Sequence, residues 1–243
     1  MDFCFRCRHG LIHPFYHADH KNTMNHLLEI DSLTLNFGTR HILNDIYLHA
    51  ETGKITAVLG RNGSGKSSLF RCAFSDLEPQ NISVRIDGKK LKGLNHKFPD
   101  IAYLPQFNFI PGRLTVESVF QHFELDLKHF FSLFPDFEPL IHHRFRLLSG
   151  GQARIIETYI VIMAKSSFSI LDEPFSHLMP INVEIFIQLI LSEKKKKGFI
   201  ISDHMFRYIL DLYDDLYLLK DGRCIKLKDE KELVELGYLN WID

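Results

Sequence analysis

The stretch that most constrains this chain is Gly60-Arg61-Asn62-Gly63-Ser64-Gly65-Lys66-Ser67, preceded by apolar Ile55 to Leu59 and followed by Ser68, Leu69, Phe70 and Arg71. It fits the spacing Gly-x-x-x-x-Gly-Lys-[Ser/Thr] in the context that spacing needs, a short buried strand running into a helix. Glycines admit backbone conformations that a Cβ disfavours, so successive N–H groups turn into one concavity. The helix N-terminus adds its own positive end. Lys66 then offers a charge to the β- and γ-phosphates, and the Ser67 hydroxyl is a hard oxygen ligand suited to Mg²⁺. A glycine-rich turn with a solvated lysine is the alternative; spacing and flanks together favour a nucleotide phosphate cradle.

The bulk properties exclude several other classes. With 243 residues, 45% of them hydrophobic, the chain is long enough for one sizeable globular domain or two small ones. Its formal charge of −1 gives no general attraction to nucleic acid, and none is expected as a partner. No apolar run approaches the roughly 18 residues of a membrane span, and the N-terminus lacks the apolar core of a signal peptide, so a cytosolic protein is expected. Four cysteines, of which Cys72 and Cys224 stand alone, do not form a disulfide framework.

Residues 1 to 25 differ from the rest. Cys4-x-x-Cys7 is followed by His9, His13, His17, His20 and His26 at irregular spacing and without apolar periodicity. Thiolates and imidazoles are zinc ligands, which is one reading; a flexible leader ahead of a natural start at Met24 is the other.

From Leu27 the pattern becomes regular. Leu28, Ile30, Leu33, Leu35 and Phe37 alternate with polar residues as in a half-buried strand that stops at Gly38. Ile46 to Leu48 suggests a second strand, and Ser83 to Ile86, Asp87-Gly88 and Lys89 to Leu91 read as strand, tight turn and strand. A small antiparallel sheet is therefore expected beside the phosphate-binding core. Ile101 to Leu104 is another short apolar run and ends in Pro105-Gln106, where Gln106 alone reads equally as a turn amide or a surface residue. From about 107 to 150 the chain is rich in phenylalanine and histidine, and Pro111, Pro135 and Pro139 divide it into short helices. The aromatics are expected to form the core of this helical insert.

Leu148-Ser149-Gly150-Gly151-Gln152 then opens a helix from Ala153 to Met163. A serine with exposed glycine N–H groups ahead of a helix reads either as a capped turn or as a second anion site. Phe168 to Leu171 leads into Asp172-Glu173-Pro174. In a chain with a phosphate loop, this carboxylate pair calls for two roles, Asp172 against the Mg²⁺ shell and Glu173 free to orient or deprotonate water. Gly198 to Ile201 ends at Ser202-Asp203-His204, and a histidine at the carboxyl end of a core strand lies where open α/β sheets bind ligands. The run Lys194 to Lys197 is expected to be a solvated helix end. Leu216 to Leu219, Asp221-Gly222 and Cys224 to Leu227 form a hairpin pattern before a short amphipathic helix reaching Leu236.

From about Leu27 to Leu236 this set resembles the nucleotide-binding domain of ATP-binding cassette (ABC) transporters, most diagnostically at Leu148-Ser-Gly-Gly-Gln152. The resemblance implies an α/β fold: a P-loop NTPase core with a mainly parallel sheet, an N-terminal antiparallel β-subdomain and a small α-helical insert, all within residues 26–243. It further implies that Phe37 stacks on adenine and that Gly60 to Ser68, including Asn62, Gly63, Ser64, Gly65, Lys66 and Ser67, hold the phosphates. Gln106 corresponds to the glutamine linking the Mg²⁺ and water region to the membrane partner, Asp172 to the Walker B aspartate, Glu173 to the catalytic carboxylate and His204 to the γ-phosphate switch histidine. Each ATP would lie in a head-to-tail dimer between one subunit's phosphate loop and Ser149, Gly150, Gly151 and Gln152 of a second copy or a paralogue.

Three positions depart from the family pattern. Met179 stands where an aspartate is expected, the insert is compact, and the signature helix carries little positive charge after Ala153-Arg154. The resemblance implies an ATPase subunit driving a separately encoded permease at the cytoplasmic face. A soluble ABC ATPase acting as a mechanical or assembly factor is the alternative, and a degenerate binding subunit a third.

Overall fold

A computed structural model describes residues 25–91 and 100–239, together with the backbone of residues 5–7 and 10–12. Those two short pieces, β1 (Phe5–Cys7) and β2 (Gly10–Ile12), pair antiparallel. The remaining leader residues, including Cys4, His9, His13, His17 and His20 of the zinc reading, lie outside the described residues.

Alternation of apolar and polar residues produces β3 (Leu27–Phe37), which stops at Gly38, where φ is +59°. Its partner β4 (Arg40–Glu51) is much longer than the Ile46–Leu48 run expected from sequence. The pattern was obscured because β3 and β4 pair with register shifts between Ile30 and Asn36, so inward positions do not keep strict period two. With β6 (Asn81–Ile86) and β7 (Lys89–Lys90) they make a four-stranded antiparallel sheet in the order β4-β3-β6-β7.

The central sheet contains β5 (Ile55–Leu59), β8 (Ile101–Leu104), β9 (Phe168–Asp172), β10 (Gly198–Ser202), β11 (Asp215–Lys220) and β12 (Arg223–Leu227). Their order is β12-β11-β5-β10-β9-β8, parallel throughout except for the β11–β12 hairpin. Strands β5, β8, β9 and β10 are buried at every position, because both faces of the sheet are covered. Along β8, Ile101 and Tyr103 face the core shared with α1 (Lys66–Ala73) and the antiparallel sheet, while Ala102 and Leu104 face the core built with the longer helices.

The helical insert forms where the prolines and caps place it. Its helices are α2 (Val116–His122), capped by the Thr115 side chain on the Ser118 amide, and α3 (Leu127–Leu133), capped by Asp126. Pro135 opens a 3-10 turn, Pro135–Leu140. Its aromatics do form a core: the Phe130 ring lies 4.9 Å from Phe120, 5.2 Å from Phe134, 5.3 Å from Phe137 and 4.9 Å from Tyr159. Tyr159 belongs to α4 (Gly150–Met163), which is buried from Ala153 to Ile162 and joins the insert to the central sheet.

The lysine run departs from expectation. It follows α5 (Pro180–Glu193), and Lys194 pairs with Asp214 while Lys196 pairs with Glu193 near the surface. Lys197 is buried instead, donating to the carbonyls of Ile162 and Ala164 at the C-terminal end of α4. Those carbonyls have no intrahelical partner, so a buried cation there satisfies them, although burial pushes its pKa down to about 7. The chain finishes with α6 (Phe206–Leu210) and α7 (Lys231–Glu235).

Because Phe130 is fully buried and central to the aromatic cluster, Phe130→Ala is expected to cost about 3–5 kcal/mol, with a smaller loss for Phe130→Leu. Chemical denaturation measures both, and equal small losses would contradict a packed insert.

Candidate nucleotide site

The phosphate loop leaves the carboxyl end of β5 and enters α1 through Gly65, the N-cap residue, whose φ of +107° suits glycine. A Cβ there would also stand 3.0 Å from Leu43 Cδ2 and 3.3 Å from Ile42 Cγ2, so β4 closes over the loop. No side chain caps α1, and its first N–H groups are therefore available to an anion. Lys66 is only 7% exposed and its ammonium donates to Gly60 O at 2.7 Å and Arg61 O at 3.3 Å. Burial lowers its pKa, against the opposing pull of Glu173, Asp172 and Asp203.

Those three carboxylates sit at the ends of the next two strands. Asp172 ends β9 opposite Ser202 of β10, whose hydroxyl donates to Asp172 Oδ1 at 3.0 Å. Burial raises the Asp172 pKa, while the Ser67 and Ser202 hydroxyls act to lower it. Its Oδ2 is buried without a hydrogen-bond partner. An orphaned carboxylate oxygen beside the Ser67 hydroxyl is a donor set that fits a hard divalent cation.

Glu173 takes φ +51°, uncommon for a residue with a side chain, and its N–H donates to Ser202 O at 2.7 Å. Ser176 Oγ donates to Glu173 Oε2 at 3.2 Å. The His204 Nδ1 lies 3.7 Å from the same oxygen and 3.3 Å from Ser176 Oγ, on a ring that is half exposed. Asp203 is buried with its pKa raised by desolvation; its oxygens accept the amides of Phe175 and Met205, each at 2.9 Å. The fold thus brings Lys66, Ser67, Asp172, Glu173 and His204 together from three neighbouring strand ends.

Other expected residues lie at the margins. Phe37 is 53% exposed at the tip of the β3–β4 hairpin, paired with Arg40. Arg40, His41 and Ile42 line a cavity of about 380 Å³ with Arg61 to Ser64 and Tyr238. Sequence reasoning passed over Arg40, His41 and Tyr238, because only the tertiary fold brings the hairpin and the C-terminal segment to the loop. Gln106 is exposed just after β8. Ser149 and Gln152 form a capping box at the start of α4, each side chain accepting the other's amide, at 3.2 and 2.9 Å. Among the described residues no hydrogen bond joins Ser149–Gln152 to the phosphate loop.

Arg154 and Glu157 were also missed. Arg154, which the sequence offers only as a lone cation at the start of the signature helix, is buried, and its guanidinium donates to the carbonyls of Pro105, Asp172 and Glu173. Glu157, fully buried one turn later, accepts the amides of Phe109 and Ile110 through Oε1 at 2.8 and 3.1 Å. Burial pushes its pKa up to about 7, against those two amides and the nearby Arg154. An arginine and a glutamate three apart in an otherwise apolar helix stretch were the available signal.

A phosphate loop between strand and helix, with acidic groups at adjacent parallel strand ends, is the arrangement of a P-loop NTPase. The ABC transporter family profile matches residues 43–176. Over 216 residues the chain is 30% identical to the lipopolysaccharide export system ATP-binding protein LptB of Haemophilus influenzae, covering 82% of this chain and 89% of that one. Identity is 25% over 214 residues to the high-affinity branched-chain amino acid transport ATP-binding protein BraG of Pseudomonas aeruginosa, covering 82% and 91%. The solved structure of the ATP binding subunit of an ABC transporter shares the fold with a TM-score of 0.73 at 21% identity, covering 89% of this chain and 95% of that one. The chain belongs to the ABC transporter family, as an ATP-binding subunit with ATPase activity.

Gly65→Ala should weaken ATP binding on the order of tenfold, since alanine at positive φ costs about 1–2 kcal/mol and the new Cβ meets Leu43. Titration with a fluorescent ATP analogue tests this, and unchanged affinity would place the phosphates elsewhere. For Glu157, the folded pKa of about 7 exceeds the ordinary value of 4.5, so its contribution to stability is complete below about pH 4.5 and lost as pH rises through about 7. Relative to Glu157→Gln, the wild type should lose stability across that window by an amount on the order of 2–3 kcal/mol. A pH-independent difference in denaturation free energy would mean that the carboxyl is not desolvated.

Proposed function

We propose that this chain is the ATPase subunit of a transporter whose membrane permease is a separate polypeptide, and that two such cassettes work head to tail at the cytoplasmic face. The observation that carries the reading is the convergence of Lys66, Ser67, Asp172, Glu173 and His204 at the carboxyl ends of β5, β9 and β10. Among the described residues no helix is long and apolar enough to cross a membrane, and relatives include ATP-binding proteins of both export and import systems. A partner that supplies the membrane path fits both facts.

In this reading the exposed Phe37 stacks on adenine, and Gly60 with Asn62 to Ser68 hold the phosphates through backbone amides, Lys66 and hydroxyls. Ser67 and Asp172 would hold Mg²⁺, with Gln106 reaching the same region; bound Mg²⁺ would neutralise charge on the β- and γ-phosphates. Glu173 orients or deprotonates the attacking water, and His204 contacts the γ-phosphate. Ser149, Gly150, Gly151 and Gln152 of the second copy complete each site, since a helix start with open glycines can receive the far side of the phosphates. The exposed start of α4 is available to such a partner. Residues 26–243 act as one ATP-binding domain, with the insert at about 107–150 as its helical subdomain.

Glu173→Gln is expected to bind ATP, lose at least about 99% of steady-state turnover and accumulate as an ATP-bound dimer, because the amide cannot take a proton from water. Phosphate release and light scattering read the two effects. Wild-type turnover in that variant would remove Glu173 from the reaction.

A further inference from the structure

We infer that Arg154 and Glu157 are positioning residues that make the signature helix, the Gln106 loop and the backbone of Glu173 a single mechanical unit. The inference rests on Glu173 being the hydrolytic carboxylate, and it adds how that group and Gln106 are held.

Both residues project from α4, which opens at the Ser149–Gln152 signature. At i and i+3 they lie on one side of the helix, and both are buried. The Arg154 fork bridges two adjacent parallel strands: one terminal nitrogen donates to Pro105 O just beyond β8, the other to Asp172 O at 2.7 Å and Glu173 O at 2.8 Å at the end of β9. Buried carbonyls at strand ends have left the ladder and need another donor. A planar guanidinium can serve several in fixed directions, which a single lysine ammonium matches poorly.

The second residue completes the strap. Glu157 Oε1 accepts the amides of Phe109 and Ile110, so the exposed stretch Gln106–Asn108 is anchored before it by Arg154 and after it by Glu157. Glu173 is fixed with similar completeness. Its N–H is held by Ser202 and its carbonyl by Arg154, which supports a left-handed conformation that would otherwise be costly for glutamate. Displacing α4 must therefore carry Gln106 and the direction of the Glu173 side chain with it. Neither Arg154 nor Glu157 needs to touch nucleotide for this, and in the phosphate loop the carbonyls of Gly60 and Arg61 are held by Lys66 instead.

Such a role separates turnover from binding. In the purified full-length chain, Arg154→Lys should lower kcat about fivefold and Arg154→Met tenfold or more, with KM for ATP and affinity for a fluorescent ATP analogue staying within twofold. Glu157→Leu should lower kcat in the same way, and Glu157→Gln, which keeps an acceptor oxygen for the two amides, should restore most of the loss. Wild-type kcat in Arg154→Lys overturns the inference, including when Arg154→Met fails to fold. So does a parallel fall of kcat and affinity, which a merely structural role gives. Glu173→Gln, assayed alongside, separates the two levels: if it turns over normally the underlying reading fails, whereas if it is inactive and the Arg154 variants are wild type only the strap fails.

Discussion

The site depends on holding a buried lysine close to carboxylates gathered at neighbouring strand ends. Lys66, Asp172 and Asp203 are buried and Glu173 is partly so; the three acids end or directly follow β9 and β10, and Lys66 opens α1 after the loop that leaves β5. Desolvation alone would neutralise these groups, lowering the lysine pKa and raising those of the buried aspartates, which is the direction found. Mutual attraction and hydrogen bonds oppose it. The Phe175 and Met205 amides hold Asp203, and the Ser202 hydroxyl holds Asp172. A sheet covered on both faces makes this possible, because it fixes the strand ends rigidly and leaves only their carboxyl edge for polar groups.

That edge is stabilised from outside the sheet. Without Arg154, the carbonyls of Pro105, Asp172 and Glu173 would lose a charged donor in a region where unsatisfied polar groups are expensive. Glu157 performs the complementary task for amides. One helix therefore meets the polar demands of two strand ends and the loop between them, while its exposed N-terminus remains free to meet another surface. Lys197 closes the other end of the same helix from inside the protein.

The departure at Met179 has a local physical meaning. Met179 is the N-cap residue of α5, a position where aspartate would accept a backbone amide, and methionine makes no side-chain cap. Pro180 at the first turn compensates in part, since its fixed φ suits a helix start and it brings no N–H to satisfy. Met179 and Ile181 are instead exposed, beside the segment in which His177 takes φ +63°.

Much of this was readable from residue order. Short apolar runs ending in Gly60, Pro105, Asp172 and Ser202 marked the parallel strands, and Gly60 to Ser67 specified a phosphate cradle because its glycines and lysine have few other uses at that spacing. Prolines marked the division of the 107–150 stretch into short helices, of which Pro135 opens one. Local pattern could not reveal the full length of β4, since bulged pairing breaks its alternation, nor the burial of Lys197, which belongs to a run of four lysines that all look solvated. It could not show Arg154 or Glu157 at work either. Their partners lie between 18 and 49 positions away along the chain and are backbone atoms, which carry no residue identity. The sequence by itself determined the fold class and the chemistry available at the strand ends; the tertiary structure decided which buried charges hold those ends in place, because only packing brings a helix side chain to a distant carbonyl.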